Sequence, residues 1–313
     1  MNLFSLLIVT VNWNSGGQLA DCLLSLSQAH KHGPLNVVVV DNDSRDDSEA
    51  CIENFTKDNL DVSLVRSGTN LGFGKACNLG VEHHLASGLR PDFILFLNPD
   101  TVVDPETFSN LFAQPAVRDP QVGIIGIQLE DNHGISFSCS NFPTALNFWV
   151  KLCGLSSLLK SFPKAQHHMI HFDHLQSREV DQVMGAFLMI RTDLFRDLRG
   201  FDPQFFVYFE EVDLCLRARQ SGFVTWFEAR AKAWHRGGGT TEAVKGFRQY
   251  LSVSARLRYF RKNRTFVEYL SILILSFLVE PPARFIRLAL RGRFSECRDL
   301  LGGYRLFISR GIR

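Results

Sequence analysis

No Cys-x-x-Cys pair occurs in this 313-residue sequence; its seven cysteines, at positions 22, 51, 77, 139, 153, 215 and 297, are scattered and odd in number. They read as reduced thiols in a cytosolic chain, which excludes a disulfide framework as the source of stability. Net charge is scarce, formally +2, and no nucleic-acid partner is expected. Long apolar runs are scarce as well. One of them, YLSILILSFLV from Tyr269, is bounded by Glu268 and by Glu280-Pro281-Pro282, too short for the roughly 20 residues of a membrane span. The opening MNLFSLLIVTVNW lacks a basic region and a small-residue cleavage site, so it is expected to be a first strand and not a signal peptide. There is no internal repeat and no low-complexity segment. At 45% hydrophobic residues, the chain can bury one large core, or one core with a smaller appended unit.

The small net charge conceals an asymmetry. From Lys245 onward there are 15 Lys/Arg against 4 Asp/Glu, and before it 19 against 28. An acidic body therefore carries a basic, aromatic, helical tail, which favours an anionic surface, with helices lying in the interface of an anionic membrane. Along the body, the run SLLIVTVNW is followed by Asn14, Ser15 and Gly16, and then by Leu19, Cys22, Leu23 and Leu26 at helical spacing. NVVVVD alternates too little for a half-solvated strand, so both its faces are expected to be covered. VSLVRS is a third short strand, and a helix is predicted from Lys75 to about Leu85 after the loop GTNLGFG. DFILFLNPD repeats the strand pattern, with Asp104 as N-cap and Pro105 at the first position of the next helix. FVTWF and AKAWH are expected to be strands as well. Strands alternating with helices predict an α/β domain with a largely parallel sheet, whose ligands sit beyond the carboxyl ends of the strands.

Two of those ends are acidic. The valine run closes on Asp41, Asn42 and Asp43, and DFILFL closes on Asn98, Pro99 and Asp100. Asp100 could hold a divalent cation through hard oxygen donors, or simply cap a turn. In FFVYFEEVDLCLRARQSGF, Glu210, Glu211 and Asp213 crowd one helix N-terminus directly after Phe205, Phe206, Tyr208 and Phe209. A helix dipole accommodates acids in a first turn, but three in four residues beside an aromatic wall exceed what capping requires. Apolar surroundings raise a carboxyl pKa, which suits a general base. Asp213 is spaced to cap or to pair with Arg217 at i+4. AWHRGGG sets His235 at a strand end. HHMIHFDH places His167 and His171 four apart, but neither a helical pattern nor a completing Cys or Glu accompanies them, so a structural role is expected there.

In order and spacing, TVNWNS, VVVDNDS, NLGFGKACNLG, LNPD, and GAFLMIRTDLFRDLRGFDPQFFVYFEEVDLCLRARQSGF followed by WHRGGG resemble the family 2 inverting glycosyltransferases of GT-A fold, most closely their rhamnosyltransferase-like branch. The resemblance runs from about Ser5 to Gly239. It implies a GT-A catalytic domain over residues 1–244, split near 128 and 129 into a nucleotide-sugar half and an acceptor half, with a basic helical region over 245–313. It further implies that Asp41 reads the pyrimidine base, with Val11 and Asn12 lining the same pocket. Asn70, Gly72, Phe73, Gly74, Lys75 and Asn78 would lie beside the ribose and diphosphate, with Asn98 and Asp100 following. Asp100 and His235 would hold Mg²⁺ or Mn²⁺; the neutral Asn98 departs from the fuller two-acid motif. Glu211 would be the base with Glu210 in support, and Gly185, Ala186, Phe187 and Tyr208 would face the acceptor. The implied reaction moves a hexosyl unit from a dTDP- or UDP-sugar to a saccharide or lipid-linked acceptor, in a cytoplasmic enzyme peripheral on the inner face of the cell membrane. A non-catalytic sugar-nucleotide-binding module is the alternative, and the acids at 100, 210 and 211 weigh against it.

Overall fold

A computed structural model describes residues 4–29, 35–55, 60–152, 169, 172–237 and 245–311. Its strands are β1 (Leu6–Asn12), β2 (Leu35–Asp41), β3 (Leu60–Arg66), β4 (Phe93–Leu97), β5 (Thr101–Val103), β6 (Val122–Asp131), β7 (Gly134–Ile135), β8 (Cys139–Ser140), β9 (Arg178–Val180), β10 (Gln182–Val183), β11 (Phe187–Arg191) and β12 (Val224–His235). The main sheet runs β3-β2-β1-β4-β11-β6-β12-β5, with β7 on β6 and β9 on β12, while β8 and β10 form a small separate pair. Strands β1 to β4 are mutually parallel, as are β6 and β12; β11 runs antiparallel between β4 and β6. The mixed α/β architecture with a central, mostly parallel sheet agrees with the sequence reading. Every side chain of β1 and β4 is buried, as expected for strands with both faces covered. The helix Phe73–Leu85 lies close on β1 and β2 because of Gly80: a Cβ there would stand 2.7 Å from Val9 and 2.9 Å from Val40.

Three local expectations are corrected. The segment after β5 begins its helix at Thr107, not at an Asp104 cap, because Thr107 N–H bonds the Asp104 carbonyl in a turn that precedes the helix. FVTWF and AKAWH are one strand, β12, whose register against β6 shifts between Glu228 and Lys232. That bulge lets a single strand bend where the sequence suggests two. The Glu280-Pro281-Pro282 sequence does not end the apolar run. Helix Phe266–Ile274 continues through a π-turn, Leu275–Val279, into helix Glu280–Leu290. Proline is tolerated in a first turn, and the π-turn adjusts the hydrogen-bond ladder just before it.

The chain forms two compact units. One comprises Met1–Ser140, Phe172–Gln204 and Glu210–Thr240 and contains the sheet; the other comprises Asn141–His171, Phe205–Phe209 and Thr241–Arg313. The second unit is helical: Ala145–Leu152, Lys245–Asn263, the continuous Phe266–Leu290 and Phe294–Arg310. Phe148 stacks on Phe209 and meets Phe260 edge-on, and Trp149 donates its indole N–H to Ser271 Oγ at 2.7 Å. A capping box of Thr265 and Glu268 starts the long helix. That helix is 25 residues long with a mean hydropathy of 1.5 over its most apolar window, 22% of which is buried, so by length and composition alone it is long enough to cross a membrane.

Candidate functional site

The parallel register pairs Asn12 with Asp41 at the carboxyl ends of β1 and β2. The order of strands reverses at β1, which has β2 on one side and β4 on the other, the position where open α/β sheets leave a ligand crevice. Asn12 and Asp41 are both buried. The Asn12 amide donates to Asp41 Oδ1 at 2.9 Å and lies within hydrogen-bond reach of Ser48 Oγ, while the Ser15 hydroxyl donates to Asn12 Oδ1. Ser44 N–H holds the other Asp41 oxygen at 3.1 Å. Asn12 therefore spends its side chain orienting Asp41. Val11 is buried beside them in β1.

Asn42 joins this end of β2 to the glycine-rich loop. Its amide reaches Asn70 Oδ1 at 3.2 Å, and its carbonyl accepts Leu71 N–H at 2.8 Å. Asn70 also accepts Gly72 N–H. Lys75 stands exposed in the first turn of the helix that follows. Asn78 holds a turn from below: Oδ1 accepts Phe201 N–H and Nδ2 donates to Phe201 C=O, each at 2.9 Å. Arg217 holds the same turn from helix Glu210–Gln220, donating to the carbonyls of Leu198 and Gly200 at 2.7 and 2.9 Å and pairing with buried Asp213 at 2.7 Å. Gly200 has φ of 72°, and a Cβ on it would strike Asn78 Oδ1. The expected Asp213–Arg217 pair is thus part of a clamp whose other half lies 123 residues from Phe201 in sequence.

The clamp leads into the two glutamates. Glu210 is buried under the glycine-rich loop: a Cβ on Gly74 would lie 3.0 Å from Phe201 Cβ and 3.5 Å from Glu210 Cβ. Burial, with Glu211 beside it, holds the Glu210 carboxyl well above the ordinary range, and its Oε2 has no hydrogen-bond partner among the described residues. Glu211 is half-buried and lies against Gly185, where an added Cβ would stand 3.7 Å from Glu211 Cβ; burial raises its pKa too. Ala186 and Phe187 pack into the core, leaving Gly185 as the member of that trio positioned at Glu211. Tyr208 belongs to the helical unit. Tyr208 and Phe209 have φ of 71° and 68°, a strained pair of non-glycine residues immediately before the glutamates.

A third cluster forms at β5. Thr101 pairs with His235 across β5 and β12, which brings the preceding Asp100 to 3.3 Å from His235 Nε2. Arg236 N–H also bonds the Asp100 carbonyl. Asn98, half-buried, donates its backbone N–H to the Ala186 carbonyl. Among the described residues no group of three or more His, Cys, Asp or Glu converges as a metal cage. One carboxylate and one imidazole are nevertheless ligand types that could hold a hard divalent ion. His167 and His171 lie outside the described residues. His174 is buried in an aromatic setting, with Nε2 3.2 Å from Cys139 Sγ and Nδ1 2.9 Å from the Phe172 carbonyl, a packed histidine. The Asn78–Phe201 clamp and the Asn12 network had no local sequence signal, because their partners are distant in the chain.

The chain is 27% identical over 240 residues to an N-acetylglucosaminyl-diphospho-decaprenol L-rhamnosyltransferase of Mycobacterium tuberculosis, covering 73% of this chain and 75% of that one. It is also 27% identical over 259 residues to the Escherichia coli rhamnosyltransferase WbbL, covering 75% and 91%. Its fold is similar to that of the mannosyltransferase PcManGT from Pyrobaculum calidifontis, solved with GDP-Man and Mn²⁺, with a TM-score of 0.56 and 16% identity over 99% of this chain and 82% of that one. Residues 4–259 match the glycosyltransferase like family 2, and the chain is a GT-A glycosyltransferase belonging to that family.

Proposed function

We propose that the protein is an inverting hexosyltransferase with Glu211 as its base. The observation that carries this is the placement of Glu211 at the start of its helix, half-exposed against Gly185, with Glu210 buried beside it under the glycine-rich loop and its pKa raised by that burial. In the reaction, Glu211 takes the proton of an acceptor hydroxyl. The hydroxyl oxygen bonds to the anomeric carbon, and the bond to the nucleoside diphosphate breaks with its electron pair leaving on the diphosphate oxygen. A single displacement of this kind inverts configuration. Asp41, held by Asn12 and Ser44, accepts the N3–H of a uracil or thymine base. The loop from Asn70 to Lys75 lies along the ribose and diphosphate, and Gly185 serves the acceptor. Residues 1–128 and 129–244 then correspond to donor and acceptor halves.

Asp100 and His235 would hold Mg²⁺ or Mn²⁺, which neutralises charge on the leaving diphosphate when bound. The rhamnosyltransferase relatives favour dTDP-L-rhamnose as donor. The decaprenol-linked acceptor in one relative's name favours a lipid-linked acceptor, hence work at the cytoplasmic face of a membrane, in cell-envelope polysaccharide synthesis. The test is transfer from dTDP-rhamnose and UDP-hexoses to a polyprenyl-diphosphate saccharide, with the product anomer read by NMR. A product retaining the donor's anomeric configuration overturns the mechanism. Transfer from UDP-hexose alone replaces the donor, and binding without turnover of any donor would favour the non-catalytic module.

A further inference from the structure

The long helix of the second unit has two different sides. Ile272, Leu275, Ser276 and Glu280 are buried, turned into the helical unit. Along the other side Phe266, Leu270, Ile274, Leu278, Pro282, Ile286 and Leu290 follow one another at intervals of four, and all are exposed. Phe266 is 73% exposed, Leu278 70%, Ile286 58% and Leu290 84%, values far from those of a packed core. In an uninterrupted α-helix such a series drifts by about 40° per step. The wider π-turn over Leu275–Val279 takes back part of that drift and keeps the two halves of the stripe more nearly on one side.

Charge identifies what meets this stripe. Arg287, Arg291 and Arg293 are exposed beside its second half, and Arg298, Arg305 and Arg310 are exposed on the next helix, where Asp299 is the exposed acid among residues 281–311. An apolar band edged by arginines matches an anionic interface. It does not match itself in a parallel pairing, which would bring the arginines of the two copies together. Nor does the helix cross a bilayer. Near its middle, Glu280 forms ion pairs with Arg256 and Arg284, both at 2.5 Å. Tyr304 of helix Phe294–Arg310 bonds the Ser276 carbonyl at 2.9 Å, and Phe277 packs on Phe307. Crossing would carry this buried ion-pair cluster and an arginine-rich neighbour into hydrocarbon, where charged groups are strongly disfavoured.

We propose that helix Phe266–Leu290 is a monotopic docking element that lies in the headgroup and acyl boundary of an anionic phospholipid bilayer, apolar stripe inward and arginines on the lipid phosphates. This makes specific the membrane-surface part of the functional reading but does not depend on donor, acceptor or turnover.

The test is co-sedimentation of the full chain, without substrate, with phosphatidylcholine vesicles with or without phosphatidylglycerol. Binding is expected only with phosphatidylglycerol and should weaken as salt rises. A variant carrying Phe266→Ser, Leu278→Ser, Ile286→Ser and Leu290→Ser changes exposed positions only, so it should keep its circular-dichroism melt and lose at least about tenfold in partition coefficient. Arg287→Gln with Arg291→Gln should also lose about tenfold, and only at low salt. Wild-type binding unchanged by the four serines overturns the proposal, as does equal binding to both vesicle types. A wild-type dimer that the serines dissolve, with no vesicle binding, assigns the face to self-association instead. Cleavage of the segment after the helix only by protease enclosed in sealed vesicles, with the body of the chain cleaved from outside, would show a crossing and also overturn it. Failure of sugar transfer from every donor would leave the vesicle result standing.

Discussion

Replacing Asn78 by alanine separates a ligand-binding asparagine from a structural one. The native amide satisfies Phe201 N–H and Phe201 C=O at 2.9 Å each, and Phe201 is 1% exposed. Alanine leaves one donor and one acceptor unpartnered, at about 1 to 3 kcal/mol apiece. Asn78 itself is only half-buried, so water can reach part of the vacated space, and a total near the lower end, about 2–4 kcal/mol, is expected. For a unit of this size that lowers Tm by roughly 5 to 12 °C. The turn it holds precedes the glutamates, so kcat should fall while donor affinity in titration calorimetry stays within about twofold. A large loss of donor affinity with an unchanged melting temperature would refute the clamp and restore Asn78 to the nucleotide pocket that its motif suggests.

Glu211→Gln keeps shape and removes the proton acceptor, so transfer should fall by about 10² to 10⁴-fold with near-normal donor binding; a few-fold effect, with the large loss at Glu210→Gln instead, would exchange their roles. Because burial raises the Glu211 pKa, the acid limb of the kcat profile should lie above the ordinary carboxylate range, activity being lost as pH falls through that raised value; a limb near 4 would contradict it. Glu210 has its folded pKa raised, so its contribution to stability is full below the unfolded pKa and is lost as pH rises through the folded one. Glu210→Gln should therefore raise Tm at about pH 8 and change it little near pH 4, and equal shifts at both would refute neutral burial. Asp100→Asn should abolish stimulation by Mn²⁺ or Mg²⁺ and weaken donor binding, His235→Ala less so; full activity without metal in Asp100→Asn would assign diphosphate neutralisation to arginine or lysine side chains.

Much of the fold was legible because its signals are local. Val37–Val40 and Phe93–Leu97 are apolar without alternation, and they are buried strands of the central sheet. The helices between them follow from apolar spacing, and the acids of helix Glu210–Gln220 announce its start. Charge counting alone distinguishes an acidic body from a basic tail. Where the sequence misled, a nonlocal contact or a backbone irregularity decided. A bulge makes one strand of β12, and a π-turn carries a helix through two prolines. The division of labour in EEVD also comes from packing: the three acids look alike in sequence, yet Glu210 is buried beneath Gly74, Glu211 faces Gly185, and Asp213 is paired with Arg217. Asp100 and His235 lie 135 positions apart, and only the pairing of β5 with β12 brings them within 3.3 Å. Sequence determined which residues could do chemistry, because residue type and local periodicity are properties of a few neighbouring positions. Tertiary structure decided which of them meet and which are dehydrated, because the partners that set distance and pKa come from distant parts of the chain.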